Sequence, residues 1–209
     1  QRQMCIRDSS YGAGIGGGYW GDYKSGNGGK DITINGGTVT ATGGDRGAGI
    51  GGGSVSIGSG GGGYGSGKDI TINGGTVHAE SGGGKGPVAA IGGGRVDGKG
   101  ENIQITGGNV TLKTVDDDDI YIGNGQQEAE IDPSKLLGTI TKLNMYDEQV
   151  DEIVQDFNIK INDKPVTRKN YEDILGLCYD IEEKTLKLKD GKSCLLYTSP
   201  SPRDPKTSR

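Results

Sequence analysis

Three groups of side chains in this chain have the chemistry to hold a ligand. Asp116, Asp117, Asp118 and Asp119 are four adjacent carboxylates, the hard oxygen donors that a calcium ion gathers in sets of about six to eight. They repel one another unless a cation or water screens them, so the run also suits a solvated acidic turn, and its spacing is not that of an established calcium loop. Tyr19, Trp20 and Tyr23, with Tyr64 in a corresponding later gap, are flat rings with a polar edge. Such rings can stack on the apolar face of a sugar or cover an end of the fold. His78 is the only histidine, so any Ser-His-Asp triad would have to use it.

Catalytic chemistry finds little else. His78 occupies a repeat position whose counterparts are Thr40 and Thr111, which reads as an outward strand residue. No spacing singles out the pair of carboxylates that a glycosidase needs. The glycine runs lack the Lys-Ser/Thr ending of a phosphate loop. Arg46 and Arg95 are the isolated basic residues that a polysaccharide lyase would have to recruit. A non-enzymatic chain is therefore expected, with calcium as the one cofactor that the acidic run would take.

What positions these residues is a repeat. Lys30-Asp-Ile-Thr-Ile-Asn-Gly-Gly-Thr-Val-Thr-Ala41 recurs as Lys68-Asp-Ile-Thr-Ile-Asn-Gly-Gly-Thr-Val-His-Ala79 and, drifting, as Glu101-Asn-Ile-Gln-Ile-Thr-Gly-Gly-Asn-Val-Thr-Leu112. A second segment alternates with it: Gly12-Ala-Gly-Ile-Gly-Gly-Gly18, Gly47-Ala-Gly-Ile-Gly-Gly-Gly53, Ala89-Ala-Ile-Gly-Gly-Gly94 and the weaker Ile120-Tyr-Ile-Gly-Asn-Gly125. Ile32, Ile70 and Ile103 are 38 and 33 residues apart, and periods of ~20–50 residues belong to solenoids and related arrays. The lengths vary only in the glycine-rich gaps, where loops absorb insertions.

Within each repeat the apolar residues alternate, as in Ile32 and Ile34, Val39 and Ala41, or Ala48 and Ile50. Period two is the strand signature, so each repeat offers three short strands with glycine corners between them. Equivalent positions then stack as rows: Ile32, Ile70, Ile103; Val39, Val77, Val110; Ile15, Ile50, Ile91, Ile122. The expected fold is all-β, a parallel β-helix solenoid of about three to four coils over residues 10–125. The outward rows Thr33, Thr71, Gln104 and Thr40, His78, Thr111 suit solvent, or contact with an extended polymer or regular surface.

Residues 126–193 differ in composition, with little glycine, and are expected to form a small mixed α/β or β-rich segment. Asp147 would cap a helix whose apolar face is Val150, Ile153, Val154 and Phe157. Phe157 to Asn162 alternates as a strand. Asn170 would cap one turn ending at Gly176, and Leu177 to Leu188 reads as a hairpin turning at Glu182 to Lys184.

The chain carries 23 basic and 28 acidic residues, a poor balance for nucleic acid or an anionic membrane. It has no apolar run of about 18 residues that would span a membrane. Of its 43 glycines, 40 fall within residues 12–125, so that part must build its core from few large side chains.

The ends stand apart. The DNA able to encode Met4-Cys-Ile-Arg-Asp8 has a complement that, in another frame, reads Cys194-Leu-Leu-Tyr-Thr198. Residues 1–9 and 194–209 resemble translated sequencing-library adaptor and are expected to be foreign to the gene. Without them Cys178 is the sole cysteine, which leaves no disulfide framework.

The Ile-Thr-Ile-Asn-Gly-Gly-Thr-Val and Gly-Ala-Gly-Ile-Gly-Gly-Gly repeats resemble the carbohydrate-binding β-helix domains of large bacterial cell-surface proteins. Ile159 to Thr167 and Tyr179 to Leu188 look like the segment that opens a further such domain. The resemblance implies a fragment of a secreted or cell-surface adhesin, joined to further repeat domains in the same chain. Its partner would be a polysaccharide or host glycan, sometimes with bound calcium. It assigns no ligand residues.

Overall fold

The structure, a computed structural model, describes residues 3–6, 11–18, 28–54, 65–84, 86–95, 98–124, 127–133, 136–161, 163–171, 177–180 and 185–188. Two short strands, β1 (Gln3–Ile6) and β2 (Ile15–Gly16), come first. Three coils of three strands follow: β3 (Gly29–Ile34), β4 (Thr38–Thr42) and β5 (Ile50–Gly51); β6 (Gly67–Ile72), β7 (Thr76–Glu80) and β8 (Ala89–Gly92); β9 (Gly100–Ile105), β10 (Gly107–Lys113) and β11 (Ile120–Asn124). The tail adds β12 (Gln127–Glu128), β13 (Leu137–Leu143), β14 (Gln149–Val154), β15 (Asp156–Ile161), β16 (Lys164–Thr167), β17 (Leu177–Asp180) and β18 (Thr185–Leu188).

Like strands stack on like strands. One parallel sheet runs β3-β6-β9, a second runs β1-β4-β7-β10-β13 and a third runs β2-β5-β8-β11. This is a right-sized match to the expected solenoid: three complete coils, with β2 ahead and β13 behind. Among the described residues there is no α-helix, and no helix long and apolar enough to cross a membrane.

The predicted rows are in register. Ile32 pairs with Ile70 and Ile70 with Ile103, while Val39, Val77 and Val110 continue to Ile140. Ile70, Val77, Ile50, Ile91 and Ile122 are fully buried, whereas Ile15 on β2, Ile32 and Val39 on the first coil and Ile103 on the third are half-buried. Each fully buried Ile or Val side chain contributes roughly 1.5–3 kcal/mol, and Ile50, Ile70, Val77, Ile91 and Ile122 are each paired in register with the same residue type one coil away.

Two backbone features make so narrow a coil possible. Gly16, Gly51, Gly92 and Gly123 stack with φ between 124° and 135°. A Cβ on Gly51 or Gly92 would lie 2.0 or 1.9 Å from the carbonyl oxygen of the next glycine in the row, so neither the conformation nor the space admits a side chain. The second feature was missed in the sequence. Asp31, Asp69 and Asn102 hold φ near 50° inside β3, β6 and β9, and the pairing register steps over them. The left-handed residue turns two successive polar side chains outward before the Ile-x-Ile alternation begins. Asp and Asn at that position in all three repeats was the available signal, since they tolerate this region best among residues with a Cβ.

The expected helix after Asp147 is a strand. Asp147 has φ 62° and closes a tight turn in which the Asn144 side chain accepts the N–H groups of Tyr146 and Glu148. Val150 is 54% exposed, so the helical spacing of Val150, Ile153 and Val154 does not correspond to a buried face. β14 instead pairs antiparallel with β13, Ile153 opposite Ile140: an unpaired edge of main-chain donors and acceptors outweighs a weak helical pattern. The segment is thus β-rich rather than mixed. The strand from Phe157 is present as β15, and β17 pairs with β18 with Leu177 opposite Leu188, as the hairpin reading requires; its tip lies outside the described residues. Asn170 caps backwards, accepting the Thr167 N–H at 2.7 Å and donating to the Pro165 carbonyl at 3.0 Å. The turn expected beyond it lies, after Tyr171, outside the described residues.

Two substitutions separate the glycine corner from ordinary glycine content. Gly92→Ala should cost about 3 kcal/mol through strain and overlap, lowering the melting temperature by roughly 6–12 °C. Gly36→Ala, where a Cβ meets nothing within 4 Å, should leave melting unchanged or slightly raised. Ile70→Asp puts an unpaired charge into the buried row and should abolish the cooperative melting of the coils around it; an unaltered melt would refute the inward assignment.

Candidate functional site

The structure divides the four aspartates. They lie between β10 and β11, where Asp117 and Asp118 face solvent. Asp119 is 8% exposed and turns inward. Its Oδ2 accepts the Ser81 hydroxyl and the N–H groups of Val115 (3.2 Å) and Asp116 (3.1 Å), and its Oδ1 accepts the Val88 N–H at 2.9 Å. Asp116 accepts the Gly84 N–H at 3.1 Å. Asp119 therefore ties the third coil to the second, and burial pushes its carboxyl above the usual carboxylate range despite these donors. Among the described residues no three His, Cys, Asp or Glu side chains converge to hold a metal ion. The expected calcium set does not assemble, because backbone donors have already taken the one carboxylate that points inward.

Tyr19, Trp20, Tyr23 and Tyr64 lie outside the described residues. His78 is half-exposed on β7, and among the described residues its imidazole has no hydrogen-bond or ion-pair partner, so no triad forms around it. Arg46 and Arg95 are stacked on successive coils, the Arg46 carbonyl accepting the Arg95 N–H at 3.0 Å. Arg46 pairs with its neighbour Asp45 at 3.9 Å.

The two wide lateral faces differ in how they use their polar groups. On the β3-β6-β9 side, many side chains zip to one another from coil to coil, although among the described residues the outward Thr33 and Thr71 have no side-chain partner. Asn73 donates to Asn35 (2.9 Å), Thr106 donates to Asn73 (2.8 Å), Asn102 donates to Asp69 (2.7 Å), and Lys68 pairs with Glu101 at 3.2 Å. On the β4-β7-β10-β13 side two outward rows run in register, Thr38, Thr76, Asn109, Thr139 and Thr40, His78, Thr111, Thr141. Among the described residues none of these eight side chains spends a hydrogen-bonding group on another side chain. Charges flank these rows on two sides: Lys113 pairs with Glu80 at 3.5 Å and with Asp147 at 2.8 Å, and Glu152, opposite Thr141 on β14, pairs with Lys169 at 2.6 Å. Hydrogen bonding to Asp147 pushes the Lys113 ammonium above its usual pKa. Where the rows reach β13 and β14, a depression of about 290 Å³ opens between Thr139, Gln149, Glu152, Val154, Arg168 and Lys169.

A family model described as Beta helix repeat matches residues 32–54 and 70–95. The two matches cover the first two coils from the Ile-x-Ile strand through the glycine corner; the drifted third coil lies outside them. No curated protein matches the chain, and no solved structure matches it. The stacked sheets make the repeat module a parallel β-helix, and the match over its first two coils supports the same fold.

The eight-residue strip was legible only in part. The sequence supplied the rows Thr40, His78, Thr111 and the polymer-contact reading, but the self-pairing of the other face depends on cross-coil distances that no single repeat displays. The role of Asp119 left no signal, since it looks like its three neighbours.

Asp119→Asn places an amide N–H₂ against backbone donors and should cost about 2 kcal/mol, whereas Asp117→Asn and Asp118→Asn should not change melting. Because the folded chain holds the Asp119 proton more tightly than the unfolded chain, this group's contribution is largest below the unfolded value and declines as pH rises through the folded one. The stability gap between wild type and Asp119→Asn should therefore narrow as the pH of the melt is raised across that range.

Proposed function

We propose that this chain is a non-catalytic, extracellular or cell-surface polysaccharide-binding module of adhesin type, part of a larger bacterial surface protein with further repeat domains. The observation that carries this reading is periodicity: each coil offers an outward polar pair at the same place. A polymer that repeats its own hydroxyl groups is the ligand class for which many weak, equal contacts add up to avidity. The acidic balance disfavours nucleic acid. In the sequence no spacing singles out a catalytic pair of carboxylates, which favours a binding over a catalytic role. The repeat itself is compatible with either.

A stalk is the second reading, favoured by the Asn35, Asn73, Thr106 ladder, whose side chains are consumed in joining coils. A glycan array separates the two. Binding to one or more polysaccharides, without release of reducing or unsaturated ends on prolonged incubation, is the expected result. No binding to any glycan would leave the stalk. Polymer cleavage that is lost on mutating a single carboxylate would overturn the non-catalytic reading.

A further inference from the structure

We propose that the ligand of this module is an uncharged, ribbon-like, β-linked polysaccharide that lies along the solenoid axis on the β4-β7-β10-β13 face, one sugar to each coil. The inference rests on the polysaccharide-binding reading above and specifies its face, its polymer class and its direction.

Charge is the first argument. Asp, Glu, Lys and Arg make up 24% of the chain, yet none stands at the eight outward positions of this strip, and the charges beside it are paired: Glu80 and Asp147 with Lys113, and Glu152, opposite Thr141, with Lys169. A polyanion or polycation would find no counter-charge here. Valence is the second. The hydroxyl groups of Thr38, Thr76, Thr40 and Thr111 and the Asn109 amide keep their donors and acceptors free for a ligand. The Asn35, Asn73, Thr106 and Asp69, Asn102 ladders on the neighbouring face have spent theirs. A site that hydrogen-bonds sugar hydroxyls needs the former condition.

Shape is the third. Thr and Asn are short, and the corner beside the strip is built from Gly36, Gly37, Gly74, Gly75, Gly107 and Gly108, so little rises above the sheet there. Adjacent strands lie ~4.8 Å apart. An equatorially linked pyranose chain advances by close to that distance per sugar with successive sugars turned over, so each coil meets one sugar and like contacts recur on every second coil. A coiled, axially linked polymer leaves the plane after one or two contacts. His78 is the one bulky member of the rows, standing where the first and third coils carry Thr40 and Thr111. The strip continues to Thr139, at the rim of the depression beside β14.

The test is retention of the full chain on cellulose and chitin, with soluble uncharged β-glucan and with polygalacturonate measured by affinity electrophoresis. Thr76→Lys combined with Thr111→Lys raises two charged knobs on the strip; Thr33→Lys combined with Thr71→Lys does the same on the β3-β6-β9 face. Unchanged melting of both variants establishes that the fold survives. The strip variant should bind an uncharged β-glycan at least about tenfold more weakly, a loss of ~1.4 kcal/mol, while the other variant binds as wild type. His78→Thr, which makes the row uniform, should bind as well as wild type or better. Wild-type binding that is untouched by the strip variant would overturn the assigned face while leaving polysaccharide binding intact. Preference for polygalacturonate would overturn the polymer class. Absence of binding to every polysaccharide would remove the functional reading on which this inference rests.

Discussion

Everything in this molecule depends on how closely backbone can approach backbone at one corner of the coil. Gly16, Gly51, Gly92 and Gly123 stack with positive φ, and Gly29, Gly67 and Gly100, at the starts of β3, β6 and β9, are pressed against the same row. A Cβ on Gly67 would lie 2.1 Å from the Gly92 carbonyl oxygen. With this corner closed, the end of each coil touches its beginning, and the space inside is narrow enough to be filled by one or two Ile, Val or Leu side chains per strand, with Ala beside them. A wider coil would need large side chains, which the composition does not provide: one Phe and one Trp in 209 residues.

That economy shifts the burden of specificity to polar groups between coils. The side chains that might be read as ligands are, in several cases, mortar. Asp119 gathers four donors from two coils, and the Asn35, Asn73, Thr106 ladder locks successive corners at the same register. What remains free is a face on which polar groups occur without partners. The difference between the two wide faces is therefore a division of labour between holding coils together and presenting groups outward. Neither role is visible in residue type, because both faces are built from Thr and Asn.

This explains where the sequence was informative. The strands, the rows and the coil count follow from period two inside a period of 33 to 38 residues, and the stacked Ile and Val rows are where alternation placed them. The left-handed Asp31, Asp69 and Asn102 were readable in principle from residue type, but only once the strand was known to need a place for two outward side chains in succession. The tail misled because Val150, Ile153, Val154 and Phe157 match a helical stripe. The requirement that actually shaped it, an open edge on β13, lies in a different element. The Asp116 to Asp119 run misled for the opposite reason: four identical residues carry no information about which one turns inward.

The reversal of chain direction at β14 and β12 makes the two ends of the stack unequal. Parallel strands template further parallel strands, but β14 runs against β13, and β12 runs against β11. On the inward side, the row that ends in Leu112 meets Lys142 instead of another apolar residue. Its ammonium, 2.7 Å from Glu128 and 3.6 Å from Asp151, lies over the Tyr121 ring. A charged plug under two reversed strands is a stop signal. It closes the parallel stack there, leaving the reversed strands β14 and β12 as the outer strands of two of the three sheets.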